Sequence, residues 1–219
     1  MPIIYADTQD GYVNHTNTSD WETSRDATTG TTSSTVATGS NLAIRSDKSA
    51  TRTGGTQWTI GRVFFEFDTS DILSTPANAT LNIYGYTNTS ADFFVVKSTH
   101  GVSLTTADFD AITGWSTGSS DGSGAGDNEG NVTKFSTEIT SWNGSGYNSI
   151  QLNSAALADM FNLNQTTLCL IESVHDLRDI EPSGTNRSGL YFRDYTGSTR
   201  DPYIDYETGV GANWFGTNF

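Results

Sequence analysis

The stretch Gly61-Arg62-Val63-Phe64-Phe65-Glu66-Phe67-Asp68 decides the fold class. In an extended chain, successive side chains point to opposite faces. Val63, Phe65 and Phe67 therefore share one face, and Arg62, Glu66 and Asp68 share the other. Thr80-Leu81-Asn82-Ile83-Tyr84-Gly85-Tyr86 repeats the pattern, with Leu81 and Ile83 on one side. Further strands are expected at 3–6, 42–45, 93–97, 149–152, 167–173, 189–193 and 202–206, separated by polar, Gly-rich turns. About nine short strands need two packed sheets to cover their apolar faces.

Helix is scarce. Residues 105–112 read as one or two turns with a Thr at the N-cap and acids in the first turn. Residues 153–161 read as a better helix, with Ala156, Leu157, Met160 and Phe161 at helical spacing. Residues 26–41 are mostly Thr, Ser, Gly and Ala, and 114–131 are Gly-rich with three acids. Both are expected to be surface loops without a packed core. Arg62 and Asp68, opposite the core-facing side chains, read as partners for neighbouring strands rather than as a catalytic pair.

Composition agrees with an all-β chain. Of 219 residues, 34 are Thr, 25 Ser, 16 Asn and 22 Gly, which suits neither a helical bundle nor simple disorder. Charged residues are 16% of the chain, against roughly 25% on average, and the net charge is −14. That charge repels phosphate backbones and anionic lipid, so neither nucleic acid nor membrane insertion is expected. No apolar run reaches the length of a membrane span. The first residues, Met1-Pro2-Ile3-Ile4-Tyr5-Ala6-Asp7, have neither the basic nor the long apolar region of a signal peptide, and the expectation is a complete, unprocessed product. Cys169 stands alone, so no internal disulfide forms; within Thr167-Leu168-Cys169-Leu170-Ile171 it reads as a small buried hydrophobe. The domain expectation is one sandwich over 1–208 followed by an aromatic tail over 209–219.

Arg62-Val63-Phe64-Phe65-Glu66-Phe67-Asp68-Thr69-Ser70-Asp71-Ile72, followed by Ala77-Asn78-Ala79-Thr80-Leu81-Asn82-Ile83-Tyr84, resembles the signature of DNRLRE-type domains. That signature has an Arg, a strand ending in Phe-Asp-x-Ser-x-Ile, an Ala-rich turn and a Leu-x-Leu-Tyr strand. Asp10-Gly11-Tyr12-Val13, Ile150-Gln151-Leu152-Asn153, Tyr191-Phe192-Arg193-Asp194 and Asp201-Pro202-Tyr203-Ile204 resemble its other segments, in order, over about residues 4–207. The chain departs from the pattern at Ile72-Leu73-Ser74-Thr75-Pro76, where the family has Ile-Pro, and its Thr-Trp pair is matched only in part by Trp115 and by Ser141-Trp142. The resemblance implies a jelly-roll β-sandwich of two antiparallel sheets with one or two short helices, akin to carbohydrate-binding modules.

Enzymatic signals are thin, and no catalytic residue is assigned. His15, His100 and His175 are far apart in sequence, and Glu172-Ser173-Val174-His175-Asp176, read as a strand, splits its groups between two faces. Asp121, Asp127 and Glu129 lie in a Gly-rich loop that suits either a calcium ion or plain solvation; no other cofactor is expected. Trp21, Trp58, Trp115 and Trp142 fall in or beside expected loops. Trp115 and Trp142 are the candidates for stacking on sugars, and the alternative is that each lids an end of the sandwich. In the tail, Trp214, Phe215 and Phe219 either fold back or dock onto a partner chain.

An acidic sandwich of this kind, beginning at its first strand, resembles the virion proteins of tailed phages. The resemblance implies a structural protein on the outer surface of the particle, a capsid decoration or fibre component. Its partners would be the major capsid protein or neighbouring virion proteins, within a homo-oligomer. The alternative is a stand-alone extracellular carbohydrate-binding or adhesin module with a surface glycan as ligand.

Overall fold

The structure is a computed structural model, which describes residues 1–35, 40–88, 91–193 and 198–209; the Trp214, Phe215 and Phe219 candidates lie outside the described residues. In chain order the strands are β1 (Ile3–Tyr5), β2 (Gly11–Asn17), β3 (Thr32–Ser34), β4 (Ser40–Ala50), β5 (Thr56–Asp68), β6 (Asn78–Asn88), β7 (Phe93–Lys97), β8 (Tyr147–Gln151), β9 (Gln165–Glu172), β10 (Thr185–Leu190) and β11 (Tyr203–Glu207). Two short helices, α1 (Trp21–Arg25) and α2 (Ser154–Asn162), complete the framework. The molecule is an antiparallel β-sandwich, as the alternating strands led us to expect.

β5 organises the first sheet. Along one edge it pairs with β2, from Gly11↔Phe64 to Asn17↔Trp58. Its other edge takes two partners, β4 over Thr56–Gly61 and β9 over Val63–Asp68. β3 extends β2, β10 extends β4 and β7 extends β9. The second sheet runs β1-β11-β6-β8. β10 joins the sheets by also pairing with the far end of β6, at Ser188↔Asn88 and Leu190↔Gly85. Close approach at that bend requires glycine: a Cβ on Gly85 would stand 1.9 Å from the Asn143 carbonyl oxygen.

Between the sheets, Val63, Phe65 and Phe67 of β5 meet Leu168 and Leu170 of β9, Leu81 and Ile83 of β6, and Ile204 of β11. α2 closes one end of this core with Ala156 and Met160, and Asn153 caps it by accepting from the backbone N–H groups of Ala155 and Ala156. Phe161, expected on the apolar face, is 42% exposed, because the helix shows only part of that face to the sandwich.

The opposite face of β5 departs from expectation. Its residues from Trp58 to Phe67 are buried without interruption, so the face carrying Arg62 and Glu66 meets neither solvent nor only its strand neighbours. Ile60 and Phe64, with Phe94, Val96, Cys169 and Ile171, form a second core against Phe109, Ile112, Val132, Trp21 and Leu177. The segment 114–131 stays largely exposed, as expected of a surface loop, but Trp115, Gly126 and Asn128 tie it to this layer, with Asn128 only 1% exposed. Thr105 and Asp108 close a capping box on a 3-10 turn at Thr106–Asp108, which delivers Phe109 to this layer. Among the described residues, no helix is long and apolar enough to cross a membrane.

The two cores are expected to contribute comparably. Removing a buried aromatic side chain costs about 3–5 kcal/mol, whereas a surface-loop residue costs about 0.5 or less. Phe109→Ala should therefore lower the unfolding free energy in urea by about as much as Phe65→Ala. A loss for Phe109→Ala near zero would mean that the outer layer does not pack.

Candidate functional site

The second core contains a group of buried charges. Arg62, on β5, directs Nε and Nη2 at the two carboxylate oxygens of Asp176, at 2.8 and 2.7 Å, and donates through Nη1 to the Phe109 carbonyl. Arg25, at the end of α1, donates to the carbonyls of Asp176 and Gly126 and pairs with Asp26. Both guanidiniums lie against the Trp115 ring, 4.7 and 4.1 Å from its centroid for Arg25 and Arg62. Arg25, Arg62, Asp176 and Asp179 are all fully buried.

Asp179 is the nucleus of the glycine-rich loop. Its backbone lies in the left-handed region, at φ 56°, which brings its carboxylate under the loop. One oxygen accepts from Trp21 Nε1, Ser120 Oγ and the Gly122 N–H; the other accepts from the Asp121 and Gly126 N–H groups. Burial alone would raise this carboxyl, but these donors outweigh it and hold it below the usual range. Gly122 and Gly124 take the positive φ values that the loop needs, 71° and 99°.

Glu172 ends β9 and caps the following π-helical turn, Ser173–Leu177, by accepting from the N–H groups of Val174, His175 and Asp176. The strand reading of 172–176 is therefore corrected. Burial pushes the Glu172 carboxyl up, opposed by those donors and by His175. His175 instead contacts the Ile180 carbonyl through Nδ1.

The calcium candidates are held apart. Asp121 accepts from the N–H and hydroxyl of Ser123, and Asp127 from the Glu129 N–H. Glu129 pairs with Arg178 and Lys134, which pull its carboxyl down to about 2. Among the described residues, no three His, Cys, Asp or Glu side chains gather as a metal site requires. Two small cavities, of about 140 Å³ beside Leu73 and Tyr206 and 80 Å³ beside Ser116 and Asn131, fall below the roughly 300–1,000 Å³ of small-molecule sites.

The structure places the tryptophan candidates in buried or half-buried positions. Trp142 is 8% exposed, stands edge-on to Phe93 and donates to the Gly189 carbonyl. Trp115 is half-buried, with its ring against the two arginines. Trp21 and Trp58 donate to Asp179 and Glu181.

An aromatic surface exists elsewhere, on the outer face of the second sheet. Six of the nine tyrosines form an unbroken series there: Tyr5–Tyr203–Tyr147–Tyr84–Tyr191–Tyr86, with successive ring centroids 6.0, 5.4, 5.2, 5.6 and 5.1 Å apart. β11 and β8 explain it: their burial alternates, with Ile204, Tyr206 and Ile150 inward, and Tyr203, Asp205, Tyr147, Ser149 and Gln151 outward. Register places Tyr84 beside Tyr147, Asn82 between Tyr203 and Ser149, and Thr80 between Asp205 and Gln151. Arg193 stacks over Tyr5, and Arg200 over Tyr84 and Tyr191. Tyr147 donates to the Asp201 carbonyl, and burial, with Tyr203 and Asp201 nearby, pushes its pKa up to about 12. The series was missed from sequence because its members run from residue 5 to residue 203; only Tyr84 and Tyr86, two apart on one strand, gave a local signal.

No protein-family model matches this chain, and no curated protein sequence matches it.

Two measurements follow. Breaking a buried ion pair by removing one partner costs about 3–5 kcal/mol, so Arg62→Met and Asp176→Ala should each lower stability by that much, and the double substitution by less than their sum. Simple additivity in that cycle would mean the pair is not coupled. His100, with Nδ1 2.7 Å from Ser98 Oγ and its ring edge-on to Phe64, has its pKa lowered by burial to about 4. The unfolded imidazole takes up its proton first as the pH falls. Unfolding free energy should therefore drop between about pH 6.5 and 4, by up to about 3 kcal/mol, relative to His100→Gln. Parallel pH profiles for the two proteins would contradict the buried neutral state.

Proposed function

We propose that this chain is a structural protein of a tailed-phage particle, a head-surface decoration or fibre component that works by binding rather than by catalysis. The observation that carries the binding reading is the outer face of the second sheet. There a rigid sheet presents aromatic rings, amides and hydroxyls outward, while Arg25, Arg62, Asp176 and Asp179 are committed to holding a loop layer on the first sheet. A net charge of −14 suits an outward surface and keeps the protein off packaged DNA. In this proposal Trp214, Phe215 and Phe219 anchor the chain to the major capsid protein or a neighbouring virion protein, within a homo-oligomer. The likeness to DNRLRE-type domains and carbohydrate-binding modules is part of the same reading. A stand-alone extracellular carbohydrate-binding or adhesin module is the second reading, favoured by the amides and hydroxyls beside the tyrosines.

The test is occupancy of particles. Mass spectrometry of gradient-purified particles should find the full chain at many copies each, and gold-labelled antibody should mark the outer surface. Replacing Trp214, Phe215 and Phe219 with serine should lower occupancy at least roughly tenfold without lowering the urea midpoint. Absence of the protein from purified particles contradicts the particle reading, and full occupancy by the triple variant contradicts the anchor.

A further inference from the structure

We propose that a second copy of this chain docks on the open edge of β8, its own β8 pairing antiparallel across a two-fold axis at Ser149. This rests on the homo-oligomer of the reading above and gives it an interface; it does not depend on the particle.

The direction of the β8 hydrogen bonds leaves one edge open. In an antiparallel pair, alternate residues turn their N–H and C=O groups toward the partner strand, and the residues between them turn away. The Gly85 N–H donates to the Gly146 carbonyl and the Leu152 N–H to the Ala79 carbonyl, at opposite ends of the β6–β8 ladder. Residues 146, 148, 150 and 152 therefore face β6, and Tyr147, Ser149 and Gln151 face away. β8 has no strand partner except β6, and among the described residues no hydrogen bond reaches the backbone of those three. Ser149 and Gln151 are exposed.

An edge of this kind recruits another strand unless something blunts it. The other terminal strands are short or covered. β1 and β3 have three residues each, and β1 follows Pro2 and leaves the second sheet for β5 at Ala6. β7 is covered by 133–139: Lys97 donates to the Thr133 carbonyl, Phe135 to that of Val95 and Phe93 to that of Ile139. β8 has five residues, an uninterrupted register with β6, and neither proline nor lysine. Its side chains are already held, Ser149 by Asn82, Gln151 by Asn78 and the Ala79 carbonyl, and Asn148 by the Asn143 carbonyl. Little ordering is needed when a strand is added.

Charge selects the occupant. At −14, two copies repel one another over most of their surface. β8 lies within residues 139–158, twenty consecutive residues without a charged side chain, so two copies can meet along it without opposing like charges. The strand is also self-complementary. With Ser149 opposite Ser149 of the second copy, Tyr147 lies opposite Gln151, and Gln151 opposite Tyr147. Each of these pairs exchanges two backbone hydrogen bonds, which satisfies every outward group of β8. The second sheets, of four strands each, become one sheet of eight.

The experiment is sedimentation equilibrium of the purified full chain over a range of concentrations. We expect a dimer. Ser149→Pro removes an outward N–H and no bond to β6, so it should weaken the dimer roughly tenfold or more with unchanged circular dichroism. Ser149→Lys and Ser149→Asp each set like charges opposite one another at the axis and should weaken it similarly, and mixing the two variants should restore a dimer with one chain of each. A wild-type monomer at about 100 μM overturns the inference. So does a dimer that survives both Ser149→Pro and Ser149→Lys, which would place the contact elsewhere, or failure of the mixed variants to recover it. A monomeric protein present on particles overturns this inference and leaves the particle reading standing. A β8 dimer absent from particles supports the inference and overturns the particle reading alone.

Discussion

Arg62 sits in the middle of β5 with both sides of its sheet covered, and its guanidinium is fully buried. A buried cation is tolerable only when paired and fully hydrogen-bonded, and Asp176 meets it through two parallel bonds while the Phe109 and Arg25 carbonyls take further N–H groups. The strand, the π-helical turn after β9, the Phe109 turn and α1 therefore converge on one side chain. Trp115 stacks on that guanidinium, and Arg25 and Asp179 extend the same network into the glycine-rich loop. Losing Asp176 would leave Arg62 uncompensated and remove the main polar tie between layer and sheet.

That constraint divides the molecule by role. Because the outer layer is tied down, the central strands β5, β7 and β9 of the first sheet are buried on both faces along most of their length. The second sheet is covered by the sandwich core on one face, and its other face keeps the alternation of an antiparallel sheet open to water. The tyrosine series lies there. Within it, Tyr84 and Tyr147 are held by hydroxyl hydrogen bonds to the Ser145 and Asp201 carbonyls.

Val63, Phe65 and Phe67 could be assigned to a core from sequence because strand alternation is local, and β7 was legible over its whole length. The opposite face of β5 was not. Alternation shows that Arg62 and Phe64 share a side, but not that a loop layer returns to cover it. The partner that makes burial possible, Asp176, is 114 positions away. Composition marked 114–131 as loop correctly but gave no sign that Asn128 is buried within it, since Asn128 is satisfied by the Ser116 backbone rather than by apolar packing. α1 is a single turn held by an Asp20 cap, too short for an apolar period, and β3 lies in a Thr/Ser stretch without alternation. Tryptophans stand out in sequence as rare, large side chains, yet the indole N–H groups of Trp21, Trp58 and Trp142 bond to interior acceptors on Asp179, Glu181 and Gly189, and Trp115 is held by the two guanidiniums instead. The tyrosine series depends on strand order, and no local pattern encodes that order.

Native-state hydrogen exchange of the unliganded protein tests the central claim most directly. The amides of Gly126, Asn128 and Val132 in the covering layer bond to Asp179, Leu177 and the Asn128 carbonyl, respectively. If the layer is part of the fold, these amides exchange only through global unfolding, with the same free energy of opening as the amides of β5. Exchange through a separate opening several kcal/mol below the global value would contradict the account, because the first sheet would then be available as a binding surface.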